Sequence, residues 1–481
     1  MIVMKFGGTS VQDATAIHNA ANIIQREQVR VPLIVVSACA GVTDMLIQLG
    51  ELSSHGEEHK ALGILEELYQ RHQQIVSELA HGSTGSASGR TRSVKIANKW
   101  EGVRDTFMRD SEELRRLILS LSVLKELTPR TLDQIMSYGE RWSSLLLYHE
   151  LCQLRIPTIQ VDARTILITN ADFNHASPQM QLTETKTREL ILPFVKKQQV
   201  VVTQGFIGST SDSATTTLGR GGSDYSAAIL GTVLDAEEIQ IWTDVDGILS
   251  ADPSILPGAY RIKRMTFEEA SELAYFGAKV LHPSTILPAI EKDIPVRVLN
   301  SRNPESEGTL ITREQTASTA CIIKSIAYKE GITVVNVKST RMLMAHGFLS
   351  KVFEVFAIHK KSVDVIATSE VGVALTVDSA ENLEPLVHDL QSFAEVTVHH
   401  GKAVLCVVGE NMRQTKGIAA RLFAALDRSN VNVELISHGG SEINLTFVIK
   451  ETDIEQAVKA LHDEFFSGIN EKDPMFDINH L

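Results

Sequence analysis

Six short apolar runs, each ending in small or polar residues, punctuate the first 300 residues. They are IVMKF (2–6), VPLIVVSA (31–38), IPTIQVDA (156–163), QVVVTQGF (199–206), EEIQIWTD (237–244) and IPVRVLN (294–300). Between them lie helical patterns such as DATAIHNAANIIQRE (13–27) and DYSAAILGTVLDA (224–236). Alternation of this kind predicts an α/β domain: a mainly parallel sheet covered by helices on both faces. Residues 44–155 read instead as several long helices, interrupted by GSTGSASGRTR (82–92). That interruption contains no GxxxxGK[ST] and reads as a flexible surface connection. The polar, turn-rich NSRNPESEGT (300–309) marks the expected end of the domain.

The last 150 residues carry an internal repeat. GFLSKVFEVFAIHKKSVDVIATSEVGVALTV (347–377) aligns without a gap to GIAARLFAALDRSNVNVELISHGGSEINLTF (417–447), at an offset of 70. Gly347 matches Gly417, Phe353 matches Phe423, Val363 matches Val433 and Ile366 matches Ile436. Each copy reads as a strand, a glycine turn, an amphipathic helix, two strands and a second helix. A unit that small leaves a sheet edge to be covered, by the other copy or by a partner chain. The expected domains are therefore 1–300, 313–398 and 399–481.

Composition narrows the class. Of 481 residues, 43% are hydrophobic and 22% charged, a balance that permits a substantial core. The net charge of −13, from 59 acidic against 46 basic residues, provides no surplus to offset phosphates and argues against nucleic-acid binding. Four cysteines (Cys39, Cys152, Cys321, Cys406) form no CxxC and suggest neither a zinc site nor a disulfide framework. No basic segment leads into a long apolar stretch at the N-terminus, and no run reaches membrane-spanning length. The expected location is cytoplasmic, without membrane association.

Two glycine loops follow strands. In KFGGTS (5–10), Gly7 and Gly8 lead from a strand toward a helix, and glycines let successive N–H groups converge on an anion. Lys5 stands just before the loop, where a mobile ammonium reaches a transferring phosphoryl group. GRGGSDYSA (220–228) repeats the pattern before a second helix and adds Arg220, a guanidinium able to grip a carboxylate through two parallel hydrogen bonds. Asp224 would repel phosphate unless a cation intervenes. It is expected to orient Lys5, to hold Mg²⁺ through water, or both.

These motifs, with SACAGVTD (37–44), SYGERWS (137–143), QGFIGS (204–209), TDVDGILSADP (243–253) and GAKVLHP (277–283), resemble those of the aspartokinases, in that family's order. The resemblance covers essentially the whole chain, the tandem repeat included, which looks like paired ACT domains. It implies an amino-acid-kinase fold followed by two α+β ACT domains, and transfer of the γ-phosphoryl of MgATP to the side chain of L-aspartate. It implies Lys5 and Asp224 as catalytic residues. Around the substrate it implies Ser37, Thr43, Glu140, Phe206, Arg220 and Ser223, with Arg220 on the α-carboxylate and Glu140 on the α-ammonium. Around ATP it implies Lys5, Gly7, Gly8, Ser10, Thr243, Asp244, Leu249 and Lys279. Leu249 stands where the family often carries an aromatic, so it can cover an adenine without stacking on it. Direct metal ligands remain unassigned. The rival readings are another amino-acid kinase of this fold and a catalytically inactive amino-acid sensor. No GxGxxG follows the repeat, so an appended dehydrogenase is not expected.

The two repeats diverge where a ligand would be held. The first reads SVDVIATSE (362–370) and the second NVNVELISHGG (430–440). The N–H groups of the turn AHGFLS (345–350) suit a carboxylate, while Asp364 and Glu370 suit ammonium groups. The first repeat resembles that of monofunctional lysine-sensitive aspartokinases, although Ala345 stands where those often have a small polar residue. The implied effector is L-lysine, held by Met342, Gly347, Phe348, Leu349, Ser362, Val363, Asp364, Thr368, Ser369 and Glu370 at an interface of a homodimer or higher oligomer.

Overall fold

The computed structural model describes residues 1–82, 90–276, 283–313, 323–339, 346–378, 383–438, 442–469 and 473–477. It divides into two compact units, Met1–Gly247 with Val280–Arg313, and Ile248–Lys279 with Glu314–Leu481. Among the described residues, no helix is long and apolar enough to cross a membrane.

The first unit contains β1 (Val3–Phe6), α1 (Ala14–Arg26), β2 (Leu33–Val36), α2 (Val42–Ser54), α3 (Glu58–Gly82), α4 (Arg90–Leu124) and α5 (Pro129–Gln153). There follow β3 (Thr158–Gln160), α6 (Met180–Lys196), β4 (Val200–Gln204), β5 (Ile207–Ser209), β6 (Thr215–Thr217), α7 (Gly222–Val233) and β7 (Ile239–Thr243). Its strands run in the order β3-β4-β2-β1-β7, then β10 (Val296–Asn300) and β11 (Thr309–Thr312). Every pairing from β3 to β10 is parallel, and β11 returns antiparallel beside β10. All six apolar runs are strands of this sheet. β2 and β4, inside the sheet, are buried on both faces, which explains why they read as continuous apolar stretches, while β3 at the edge is half-buried. α1 starts at Asp13, whose side chain accepts the Ala16 N–H, and α5 starts at Thr128 with Pro129 in its first turn. The long helices pack Trp100, Phe107, Trp142 and Leu146 into one core with Met4, Phe6, Ile34 and Val36 of the sheet. The connection between α3 and α4 lies outside the described residues.

The second unit opens with β8 (Arg261–Ile262), β9 (Arg264–Thr266) and α8 (Phe267–Tyr275), while α9 (Pro283–Glu291) belongs to the first. It continues through β12 (Ile323–Lys338), α10 (Phe348–Ile358), β13 (Ile366–Thr368), β14 (Gly372–Val377), α11 (Leu383–Gln391) and β15 (Glu395–Gly409). The second repeat adds α12 (Ile418–Arg428), β16 (Leu435–Ser437), β17 (Asn444–Lys450), α13 (Ile454–Phe466) and a short β18 (Phe476–Asp477). Gly347 and Gly417 cap α10 and α12 with φ of 87° and 83°, a left-handed geometry that glycine adopts freely. One six-stranded sheet runs β13-β14-β12-β15-β17-β16.

The compact units divide the chain at other residues than the expected domains do. The first compact unit runs past the turn at 300–309 to Arg313, because β11 returns beside β10. Residues 248–279 leave it for the second unit. There, Lys324 on β12 and Glu269 on α8 form a fully buried ion pair at 2.6 Å, and Asn444 donates to Glu272 at 2.6 Å. The repeats are also not cut at 398/399. Long β12 and β15 are antiparallel partners with register shifts between Lys329 and Val334. β14 pairs with Thr333–Lys338, whereas β17 pairs with Lys402–Val408. The fourth strand of the first repeat is therefore the start of β15, and that of the second repeat is 323–329, ahead of the first.

Burying Lys324 and Glu269 is tolerable only while each neutralises the other. Glu269→Ala is expected to destabilise the second unit by about 3–5 kcal/mol, and replacing both residues with apolar side chains to recover most of that. Urea unfolding of the single and double variants measures this.

Candidate active site

Phe6, Val36, Gln204, Thr243 and Asn300 end five adjacent parallel strands, and the loops beyond them carry most of the expected site residues. Two loops meet at Gly8. A Cβ there would lie 2.9 Å from the Ala38 carbonyl oxygen, and the Gly8 carbonyl accepts the Ala40 N–H at 3.1 Å. Ser37 continues this join, donating its N–H to Phe6 while its carbonyl accepts the Ser143 hydroxyl. Thr43 lies in the first turn of α2, half-buried, behind a left-handed Gly41 cap.

The second glycine loop enters α7 through Gly221, at φ 72°, with no side chain capping the helix. Asp224 in its first turn pairs with Lys5, Nζ to Oδ1 2.6 Å, with both side chains mostly buried. A carboxylate at a helix N-terminus is favourably placed, and here it fixes the Lys5 ammonium between the two glycine loops. Of the two roles open for Asp224, orienting Lys5 is the one visible in this geometry. Arg220, between the glycines, is exposed and forms no ion pair with a described residue.

Glu140 is buried on α5. Its Oε2 accepts the N–H groups of Gly205 (2.8 Å) and Phe206 (2.5 Å), and its Oε1 accepts the Ser223 hydroxyl at 2.7 Å. It forms no ion pair with the adjacent Arg141, which lies 3.4 Å from Asp110 instead. Burial pushes its carboxyl up to about 7, against the opposing effect of these hydrogen bonds and of Lys5. The packing behind it is close: a Cβ on Gly205 would lie 2.6 Å from the Ser223 Cβ. Phe206 is half-buried at this join. Seven residues earlier on the same helix, Asp133 accepts the Asn174 N–H and both the N–H and hydroxyl of Thr217.

The remaining expected residues lie as follows. Ser10 is 1% exposed, and its hydroxyl is bonded to Ser301 at 2.8 Å and lies against the Trp242 carbonyl, so it anchors the loop from inside. Thr243 is half-buried and Asp244 exposed at the end of β7. Leu249 belongs to the second unit, where its carbonyl accepts the Ser325 hydroxyl. Lys279 lies outside the described residues. Sequence reasoning missed Ser301, Asp133 and Asp246, the last of which accepts Asn300 at 3.0 Å. Asp133 had a signal in its seven-residue spacing from Glu140, and Ser301 in its place directly after a strand.

In the second unit, Gly347 caps α10 without a side-chain cap, and Phe348, Leu349 and Val363 pack against the core of the first repeat. Ser362, Thr368, Ser369 and Glu370 are exposed, and Met342 lies outside the described residues. The Asp364 carboxylate is 3% exposed. It accepts hydrogen bonds from Tyr275 and from Lys329, the latter at 3.1 Å.

No group of three metal-ligating side chains gathers among the described residues. A magnesium ion arriving with ATP takes its ligands largely from phosphate oxygens and water, with one or two carboxylates. The glycine loops and Asp224 fit that mode.

The amino acid kinase family model matches residues 1–300, and an ACT domain model matches residues 405–465. Aspartokinase 2, chloroplastic, of Arabidopsis thaliana is 38% identical, over 96% of this chain and 84% of its own length. Lysine-sensitive aspartokinase 3 of Escherichia coli is 35% identical, over 97% and 99%. Among solved structures, E. coli aspartokinase III in complex with aspartate and ADP (R-state) superposes with a TM-score of 0.77 at 34% identity, covering 97% of this chain and 100% of that one. The same enzyme in complex with lysine and aspartate (T-state) gives 0.78 at 35%, over 97% and 99%.

Because Glu140 holds its proton more tightly folded than unfolded, its linkage runs opposite to that of a salt-bridged acid. Wild type is expected to lose stability relative to Glu140→Gln as pH rises from about 4.5 to about 7, by about 3 kcal/mol across the window, with no further change above it. Urea denaturation of both proteins at several pH values tests the sign.

Proposed function

As this chain belongs to the aspartokinases, within the amino acid kinase family, we propose that it transfers the γ-phosphoryl group of ATP to the side-chain carboxylate of L-aspartate. The products are 4-phospho-L-aspartate and ADP, which opens lysine, threonine and methionine synthesis in the cytoplasm. The observation that carries this reading is the Lys5–Asp224 pair, which fixes one ammonium between two glycine loops at the ends of parallel strands.

The acceptor carboxylate is ionised at neutral pH, so no base need remove a proton. One carboxylate oxygen forms the new bond to Pγ as the bond from Pγ to the β,γ-bridging oxygen breaks, and the electron pair leaves on ADP. The task is to offset repulsion between anions and to hold the attacking oxygen in line. Lys5, positioned by Asp224, stabilises charge on the phosphoryl oxygens together with the N–H of Gly8, while Gly7 shapes the loop with its own N–H donated to the Trp242 carbonyl. Magnesium, when bound with ATP, neutralises phosphate charge. The unpaired Arg220 receives the α-carboxylate. Glu140 Oε1 has capacity for one more donor beside Ser223 and draws the α-ammonium, whose charge keeps Glu140 ionised. Ser37 and Thr43 flank the substrate, Phe206 forms its apolar wall, and Thr243 and Asp244 flank the nucleotide.

We further propose that L-lysine inhibits the enzyme at the first repeat. The uncapped N-terminus of α10 at Gly347 suits its carboxylate, and Asp364 with Glu370 suits its ammonium groups. Lysine must bind an inactive arrangement more tightly than the active one, and pairing of two chains through their repeats supplies the interface.

Lys5→Ala is expected to lower kcat about a hundredfold or more, whereas Arg220→Ala raises the KM for aspartate and leaves that for ATP nearly unchanged. Steady-state kinetics with each substrate varied separates the two, and an unchanged kcat in Lys5→Ala would remove that residue from the reaction. Asp364→Ala is expected to abolish inhibition by lysine, read as turnover with and without it. Inhibition of wild type by threonine and not lysine would overturn the effector assignment.

A further inference from the structure

Asp364, the residue expected to hold an effector ammonium, already holds one. Lys329 Nζ lies 3.1 Å from Asp364 Oδ2 and 2.5 Å from Asp378 Oδ1, and 5.3 Å from the centre of the Tyr275 ring. The Tyr275 hydroxyl donates to the other oxygen of Asp364. Lys329 is only 26% exposed and Asp364 3%, so water screens their attraction weakly. The cluster carries two carboxylates for one ammonium and so keeps a net negative charge. Sequence separation hides this arrangement, since Lys329 lies on β12, Asp364 before β13 and Tyr275 at the end of α8.

We propose that Lys329 is a resident competitor for the side-chain ammonium of the effector, an intramolecular stand-in that sets the lysine concentration needed for inhibition. This rests on the lysine reading of the first repeat given above. An incoming ammonium must take Asp364 from Lys329 or settle beside it against like-charge repulsion. Both routes weaken binding by an amount that Lys329 determines. At a separation near 4 Å, one such repulsion at an effective dielectric of about 20 is large enough to alter affinity tenfold or more. Asp378 acts on the other side of the balance. It draws Lys329 partly away from Asp364 and adds negative charge of its own.

The test is titration of the full-length protein with L-lysine, by calorimetry and by inhibition of turnover. L-Norleucine, which has the same backbone but no side-chain ammonium, is the control. Lys329→Met should lower the half-inhibiting lysine concentration roughly tenfold, Lys329→Arg should leave it at the wild-type value, and Asp378→Asn should raise that concentration. Any response to norleucine should not move. Lys329→Gln provides a second neutral variant should the methionine variant fold poorly. An unchanged or weakened lysine response in both neutral variants, with wild type responding, overturns the competitor role and leaves the regulatory reading standing. If wild type and both neutral variants are all silent toward lysine, both readings fall. A silent wild type with a responsive Lys329→Met supports the competitor outright.

Discussion

Asp133 and Glu140, two buried carboxylates two turns apart on α5, accept six donors between them from segments remote in sequence. Desolvating a carboxylate is costly, and the cost is met here by N–H and O–H groups of the surrounding loops and of the first turn of α7. Asp133 fastens Thr217 and Glu140 fastens Ser223, so the glycine loop between them is held at both ends while Arg220 in its middle stays in solvent. The place of α7 follows from that, and the Lys5–Asp224 pair follows from the place of α7. A helix that reads as one of several long amphipathic elements thus determines where both charged members of the site stand.

The parallel sheet was legible because its inner strands are buried on both faces and so interrupt the helical pattern as apolar runs. The glycine loops were legible because few arrangements other than anion cradles combine glycines with Lys, Arg and Asp after strands. The inward turn of Ser10 was not, since nothing local distinguishes a hydroxyl bonded to Ser301 from one facing a ligand. The excursion of residues 248–279 was hidden for a similar reason. Lys324 in the run IKSIAY reads as an exposed strand position, and only its meeting with Glu269, 55 residues away, makes it a core residue. The repeat announced two similar units correctly but not the exchange of their fourth strands, because pairing partners are set by the long antiparallel ladder of β12 with β15 and not by local pattern.

Lys324 and Lys329 sit five residues apart on one strand and illustrate how burial decides what an ion pair does. Lys324 is sealed from water with its single partner, and separating the two would strand a charge. Lys329, itself partly exposed, divides itself between two carboxylates, so a rival ammonium that takes one of them does not strand a charge. α8 touches both, with Glu269 near its start and Tyr275 at its end, so one nine-residue helix links a fixed pair to an exchangeable one.

The exchange of strands between the repeats imposes an order on biosynthesis. As the chain leaves the ribosome, the C-terminal half of β12 finds β14 within some forty residues, but 323–329 must wait for 402–409 and then for β17 beside it. An apolar strand with an open edge is a site for unwanted association during that interval. Lys324 lies near its start, charged and hydrated until the strand docks against Glu269, which has already been made. The ammonium that is a core member of the finished fold serves, in the nascent chain, as a solubilising guard on its last strand to find a home.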